Sequence, residues 1–187
     1  MNVIKTDVLD VYIIEPQVFG DHRGWFMESW SKREMESHNL HYDFVQDNQS
    51  FSTVKGTIRG IHYQKGNTAQ AKLVRCSTGA VLDVAVDLRQ GSPTFKKWVS
   101  VELSAENKRQ FLIPRGFGHG FLTLTDDVEF MYKADNSYSP ATEGSILWND
   151  PELGINWGID NPIVSAKDAV APKLCETSLD FIYEVKL

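Results

Sequence analysis

Two short stretches of this chain each set a histidine among glycines and aromatic residues. They are Arg59-Gly60-Ile61-His62-Tyr63-Gln64 and Ile113-Pro114-Arg115-Gly116-Phe117-Gly118-His119-Gly120-Phe121. A metal site on a strand framework needs three or more converging ligands, commonly a His-x-His pair with a nearby glutamate and a later histidine. Here Tyr63 and Gln64 follow His62, so the pair is missing; only the later piece, Pro114, Gly116 and His119, is present. No metal and no cofactor are expected. A histidine held without a metal points to proton transfer, because an imidazole titrates near pH ~6.5. With cationic side chains close by in sequence, the chemistry indicated is proton abstraction from an anionic, carbonyl-bearing substrate. Proton abstraction beside a carbonyl needs a base and a positive partner for the enolate oxygen. His62 suits the base.

The elements that must position these groups read as short strands with turn punctuation. Strands are expected at Val11–Glu15, Trp25–Trp30, Phe44–Ser52, Thr57–Gln64, Ala71–Ser77, Val81–Leu88, Trp98–Leu103, Gln110–Ile113, Gly120–Leu124 and Val128–Lys133. Phe19–Gly24 reads as a turn or loop. Gly79-Ala80 and Gln90-Gly91-Ser92-Pro93 read as turns. Ser31 with Glu34 forms a capping-box pattern, predicting a short helix to about His38. Ser165 caps a second short helix through Lys167-Asp168. The apolar tail Leu179–Val185 packs back. Alternation in Val81–Leu88 puts Val84, Val86 and Leu88 on one face and Asp83, Ala85 and Asp87 on the other. That acidic face is expected to meet solvent, or else a polar cavity. In Thr57–Gln64, Arg59, Ile61 and Tyr63 share one face, and Gly60, His62 and Gln64 the other. The pattern predicts an all-β double-sheet jelly roll, cupin-like, with a few short peripheral helices, as one domain over 1–187.

Composition narrows the partners. The chain has 187 residues, is 42% hydrophobic and 24% charged, and carries a net charge of −6. An acidic chain is not expected to bind nucleic acid without sequence preference. Cys76 and Cys175 are too few and too far apart for a disulfide framework. No apolar leader or membrane span is evident, so the cytoplasm is the expected compartment and no membrane partner is expected. His22, His38 and His41 read as surface residues.

Further motifs lie in order along the chain: Gly20-Asp21-His22-Arg23-Gly24 with Phe26 and Glu28, Gln46-Asp47-Asn48-Gln49-Ser50, Lys72-Leu73-Val74-Arg75-Cys76, Asp83 through Arg89, Gly91-Ser92-Pro93-Thr94-Phe95, Tyr132, Tyr138 and Asn149-Asp150-Pro151. Together with the two histidine stretches, they make the chain resemble the dTDP-4-dehydrorhamnose 3,5-epimerases of dTDP-L-rhamnose synthesis. The resemblance implies cofactor-free inversion at C3 and C5 of a dTDP-linked 4-keto-6-deoxy sugar. It implies Asp168 as the carboxylate that orients His62, with Asp83 a rival on sequence grounds. Tyr132, protonated at neutral pH because a phenol titrates near ~10, is the expected acid; Lys72 is the expected enolate partner. Arg23 and Arg59 would bind the diphosphate through guanidinium forks, with Arg115 a possible third. The resemblance also puts Glu28, Gln46, Asp47, Asn48, His119, Glu143 and Lys167 near the nucleotide or sugar. Phe19, Phe26 and Tyr138 are candidates to stack on the base. Similar enzymes are homodimers with exchanged strands, and Val11–Ile14 is the expected exchanged segment.

Taken singly, each residue has an ordinary alternative. A strand histidine is commonly a hydrogen-bonded structural group, Tyr132 an amphipathic core residue, Lys72 a solvated edge charge, and Asp168 a first-turn helix residue. Competing functions are a one-carbon epimerase on the same barrel, a non-catalytic sugar-nucleotide-binding module and, more remotely, a metal-dependent enzyme. Retention of both His62 and Tyr132 argues against the binding module, because binding alone needs no acid opposite a base.

Overall fold

The computed structural model describes residues 1–184. Its strands are β1 (Asn2–Lys5), β2 (Tyr12–Glu15), β3 (Val18–Asp21), β4 (Gly24–Met27), β5 (Gln46–Ser52), β6 (Thr57–Gln64), β7 (Lys72–Thr78), β8 (Ala80–Asp87), β9 (Trp98–Ser104), β10 (Gln110–Ile113), β11 (Phe117–Thr123), β12 (Val128–Ala134), β13 (Glu143–Ser145) and β14 (Ile163–Val164). Helices α1 (Lys32–Ser37) and α2 (Ala166–Ala169) are short. One sheet runs β1-β2-β10-β7-β12-β5 and the other β13-β6-β11-β8-β9, with β14 added in parallel to β6. The two pack face to face as the expected cupin-like jelly roll.

Alternation decides what each face buries. Val74, Cys76, Phe111, Ile113, Val128 and Phe130 of the first sheet meet Val81, Ala85, Val101, Leu103, Phe117 and Phe121 of the second. Full burial of each large apolar side chain here contributes about 1.5–3 kcal/mol. The outer face of the second sheet, with Ile58, Ile61, Val84, Val86 and Leu88, is covered by the C-terminal segment through Ile146, Leu153, Trp157, Leu174 and Phe181. Helix α1 covers part of the first sheet's outer face by seating Met35 against Ile14, Leu73 and Leu112. Ser31 caps it by accepting from the Glu34 amide at 3.4 Å, while the Glu34 carboxylate turns to the chain's amino terminus instead of closing the box.

Several expectations are corrected. Phe19–Gly24 turns only at His22-Arg23: around it β3 and β4 form a two-stranded ribbon, with Phe19 paired to Phe26 and Asp21 to Gly24. Beyond Met27 the expected Trp25–Trp30 strand does not continue. β11 begins at Phe117, ahead of the expected Gly120. Val11–Ile14 is no candidate for exchange, because β2 is hydrogen-bonded on both sides, to β1 and β10 of its own sheet. Asp83 and Asp87 both lie at 0% exposure, so their face is not solvated. Asp87 accepts from Arg89, Ser92 and Thr94, and the Arg89 guanidinium also reaches Asp10 and lies between the Phe117 and Tyr183 rings. This cluster ties the loop after β8 to both ends of the chain. The tail packs back as expected, through a parallel bridge of Ile182 to Gln90, with Val185 outside the described residues. Among the described residues no helix is long and apolar enough to cross a membrane.

Candidate active site

The decisive local feature is an irregularity in β6. Opposite β11, His62 pairs with His119 but Arg59 pairs with Phe121, so three steps on β6 match two on its neighbour. The extra residue is a β-bulge. It turns Arg59 to the same side as His62, although simple alternation separates them, and Ile61 and Tyr63 stay in the outer core. Gly60 makes this possible. Its φ is +127°, and a Cβ there would stand 2.5 Å from Gly120 Cα and 2.8 Å from the His119 carbonyl oxygen. Neither neighbour can yield, since both are backbone.

The bulge opens onto a cavity of about 480 Å³ lined by Arg59, His62, Lys72, His119, Tyr132 and Asp168, with Lys167 at its rim. This lies within the size range of small-molecule sites. His62 Nε2–H donates to Asp168 Oδ1 at 2.6 Å, and Asp168 is 3% exposed. Asp168 is delivered by α2, whose first turn is capped by Ser165 accepting from the Asp168 amide at 3.1 Å. With Nε2 engaged, Nδ1 is the nitrogen left to accept a proton. Tyr132 on β12 also faces the cavity, and the Lys72 ammonium lies 5.6 Å from its ring centroid. Burial pushes the Tyr132 phenol up, with Glu143 and Tyr138 adding to the effect. Burial pushes the Lys72 ammonium down to about 8, against the opposing pull of Asp83 and Glu143.

Asp83 does not meet His62. Both its oxygens accept from His119 Nε2 at 3.1 Å, so the rival pairing is corrected: Asp168 is the carboxylate bonded to His62. Burial pushes the His119 imidazolium down, opposed by Asp83 and reinforced by Lys72 and His62.

The outer residues divide into two groups. Arg59 is braced by Ser52 Oγ at 3.1 Å and the Phe51 carbonyl at 3.0 Å. Gln46 donates to Asn48 and accepts the Tyr138 amide; Tyr138 donates to Glu143, and Lys167 bonds Glu143 at 2.6 Å. These groups form a polar rim. The buried Asn48 Nδ2 is a donor with no partner among the described residues, and Asn48 stands opposite Tyr132 in the register. Asp47 turns to the other face of β5, where it pairs with Lys133 at 2.8 Å. Arg115 is corrected: it pairs with Asp135 and lines a separate cavity with Asp10 and Arg89. Arg23, Phe19 and Phe26 lie on the β3–β4 ribbon and Glu28 at its base, outside the cavity. Among the described residues no group of three or more His, Cys, Asp or Glu side chains is arranged to hold a metal ion.

The family model for dTDP-4-dehydrorhamnose 3,5-epimerase matches residues 5–176. The chain belongs to the dTDP-4-dehydrorhamnose 3,5-epimerase family. It is 56% identical over 181 residues to the enzyme of that name from Salmonella typhimurium, covering 96% of this chain and 98% of the relative. A crystal structure of dTDP-6-deoxy-D-glucose-3,5-epimerase from Legionella pneumophila, in complex with dTDP-4-keto-L-rhamnose, superimposes with a TM-score of 0.92 at 47% identity, covering 98% of each chain. A 3'-monoepimerase from Streptomyces bikiniensis in complex with dTDP-quinovose has the same fold, with a TM-score of 0.85 at 37% identity over 92% of this chain and 87% of that one.

Within this epimerase, some lining residues had no sequence signal. Ile163 and Val164 reach the cavity because the two-residue β14 pairs with β6, and nothing in their composition marks them. Ser50, by contrast, follows from alternation along β5 once Asn48 is placed.

Proposed function

We propose that His62, Tyr132 and Lys72 carry out the epimerisation, with Asp168 orienting the base. The enzyme inverts C3 and C5 of dTDP-4-dehydro-6-deoxy-D-glucose, giving dTDP-4-dehydro-L-rhamnose in dTDP-L-rhamnose biosynthesis. At each carbon, His62 Nδ1 takes the proton beside the C4 ketone, and the C–H electron pair moves to the carbonyl oxygen. The Lys72 ammonium faces that developing oxyanion. The pair then returns to carbon, which takes a proton on its opposite face from the Tyr132 hydroxyl. Imidazolium and phenolate remain, and exchange with water resets both. Only protons move, with no net oxidation or reduction, so the chemistry needs no cofactor.

The observation that carries this assignment is the 2.6 Å His62–Asp168 bond opening into the same cavity as Tyr132 and Lys72. A sugar-nucleotide binder has no use for an oriented base opposite an acid. Arg59 and Lys167 then meet the diphosphate, and His119, Asn48, Gln46, Glu143 and Tyr138 belong to the sugar and nucleotide subsites, while Asp47, turned away from the cavity, has no part in them.

Arg23, Phe19, Phe26 and Glu28 belong, in this proposal, to the same substrate site of a homodimer. Phe26 is 70% and Phe19 55% exposed on the ribbon, an unusual cost for a lone chain. Ribbon insertion into a second copy's cavity places Arg23 at the diphosphate and an aromatic ring at the base. Mixing two inactive variants, His62→Ala and Arg23→Ala, restores part of the activity if sites are shared between copies; no restoration means each copy works alone. One domain and a cytoplasmic location complete the proposal. The absence of a disulfide at Cys76 and Cys175 suits a reducing compartment.

The test is NMR in deuterium oxide with dTDP-4-keto-6-deoxy-D-glucose and no added metal. Deuterium enters both C3 and C5, and His62→Ala abolishes it. Label at one carbon alone would make this a mono-epimerase, and binding without any exchange would leave a non-catalytic module.

A further inference from the structure

A second histidine–aspartate pair borders the cavity, and the proposed reaction leaves it without a task. His119 on β11 stands directly opposite His62 of β6 in the strand register. Its buried ring lines the cavity and stacks on Phe130, with centroids 6.1 Å apart. Behind it lies Asp83 of β8, wholly buried and outside the cavity lining. Both Asp83 oxygens stand 3.1 Å from His119 Nε2. Equal distances suit one N–H shared between two acceptor oxygens. A protonated acid would instead draw its donating oxygen closer than the other, because O–H bonds are the shorter kind. Nε2 therefore carries the proton, and Asp83 accepts from it.

Nδ1 is the nitrogen that remains. It is not sealed from water, since the buried side-chain atoms left without a partner among the described residues are Trp30 Nε1 and Asn48 Nδ2. It opens instead to the cavity that His119 lines. Burial, the largest influence on this ring, pushes the imidazolium below its ordinary value, so His119 is neutral at neutral pH. A neutral imidazole protonated on Nε2 has a bare lone pair on Nδ1. That atom accepts from an O–H but has nothing to give a ketone or phosphate oxygen.

We propose that Asp83 fixes His119 as a hydrogen-bond acceptor, so that its Nδ1 takes a bond from a hydroxyl of the bound sugar. Asp83 is a positioning residue, and this role rests on the cavity being the sugar site of the proposed reaction. Lys72 and His119 then sort the sugar's oxygens between them. The Lys72 ammonium only donates, and so attracts the C4 oxygen; the Nδ1 lone pair repels that oxygen and attracts a hydroxyl. The ring is held one way round as a result. Without Asp83 the proton is free to move to Nδ1, where it would attract the ketone as Lys72 does, and the sorting is lost.

The tautomer can be read directly by NMR of the full chain labelled with 15N in its histidine rings, at neutral pH and without ligand. The His119 signals are assigned by their loss in His119→Phe. The parent shows a proton on Nε2 and none on Nδ1. A proton on Nδ1, alone or together with one on Nε2, overturns the proposal, and this measurement needs no change at Asp83. In Asp83→Leu the proton spreads over both nitrogens; a ring still protonated on Nε2 alone refutes Asp83 as the cause. Binding is then measured with dTDP-6-deoxy-D-glucose, which has no ketone and does not react, and with its 2-deoxy and 3-deoxy forms. In the parent, deleting the hydroxyl that His119 accepts from weakens binding about tenfold and removes the ligand's effect on the Nδ1 signal. In Asp83→Leu the same deletion costs about twofold or less. Equal penalties in the two proteins mean a merely structural residue, and no penalty for either deletion in the parent leaves no hydroxyl to accept from; both refute the assignment. The tautomer readings need neither ligand nor turnover, so failure of the proposed reaction is told apart from failure of this inference.

Discussion

Replacing Asp168 by asparagine tests the proposed base most directly. The side chain keeps its shape while its charge goes. The bond it makes to His62 Nε2 is 2.6 Å long, and the carboxylate is almost shielded from water. A hydrogen bond to a charged group contributes about 1.5–3 kcal/mol net. It strengthens as His62 becomes imidazolium, so its loss falls on the transition state. At about 1.36 kcal/mol per decade, kcat drops about 10- to 150-fold. The drop grows if the asparagine amide donates to Nε2 and forces the proton onto Nδ1, the nitrogen needed as base. KM stays near the parent value, because imidazolium forms only during reaction. The assay is initial-rate NMR of C3 and C5 exchange, with a melting curve to establish that α2 remains folded. A kcat within threefold of the parent, or a loss residing wholly in KM, would refute the dyad.

Four further outcomes are expected. Tyr132→Phe leaves proton removal by His62 in place but slows inversion by about 10²–10⁴-fold, so NMR detects exchange outpacing formation of the L-sugar; equal losses of both would unseat Tyr132 as the acid. In the parent enzyme, kcat/KM declines above pH about 8 as the Lys72 cation is lost, and a flat profile to pH 10 contradicts the enolate role. Asp87→Ala leaves buried Arg89 with Asp10 as its one remaining carboxylate among the described residues, leaves Ser92 and Thr94 without their acceptor, and lowers stability by about 3 kcal/mol, measured by urea unfolding. Against burial, which pushes it up, hydrogen bonds from Arg89, Ser92 and Thr94 hold the Asp87 carboxyl below the usual range. Its contribution is therefore present above its unfolded value near ~3.9 and lost as pH falls through the lower folded value; the variant's deficit shrinks in acid. Gly60→Ala drives a Cβ into the backbone of β11 at a positive φ. It unfolds the bulge at a cost of more than about 2 kcal/mol, and a variant with the parent's melting temperature and activity would mean that the bulge does not organise the site.

Residue type and spacing carried much of this protein. The period-two alternation in Val81–Leu88 and Thr57–Gln64 and the turn glycines were enough to indicate a two-sheet β fold, because side-chain direction along a strand is a local property. Ser31 and Ser165 likewise marked helix starts, since capping involves only the first turn. The motifs around His62, His119 and Tyr132 indicated the family and its chemistry.

Tertiary structure decided what local rules cannot reach. Whether the Asp83–Asp87 face met water or interior depended on which sheet packed over it. Arg59 joined His62 only because β6 gains a residue against β11, and a bulge is a property of two strands rather than of one. The choice between Asp83 and Asp168 was open along the chain because the contending residues are far apart in sequence. It closed when β14 joined β6 and carried α2 to His62, leaving Asp83 to His119. The first strand of the ribbon, through Phe19, read as part of a turn or loop because its cross-strand pairs leave their apolar side chains uncovered, and hydrophobic patterning identifies strands only where a face is buried.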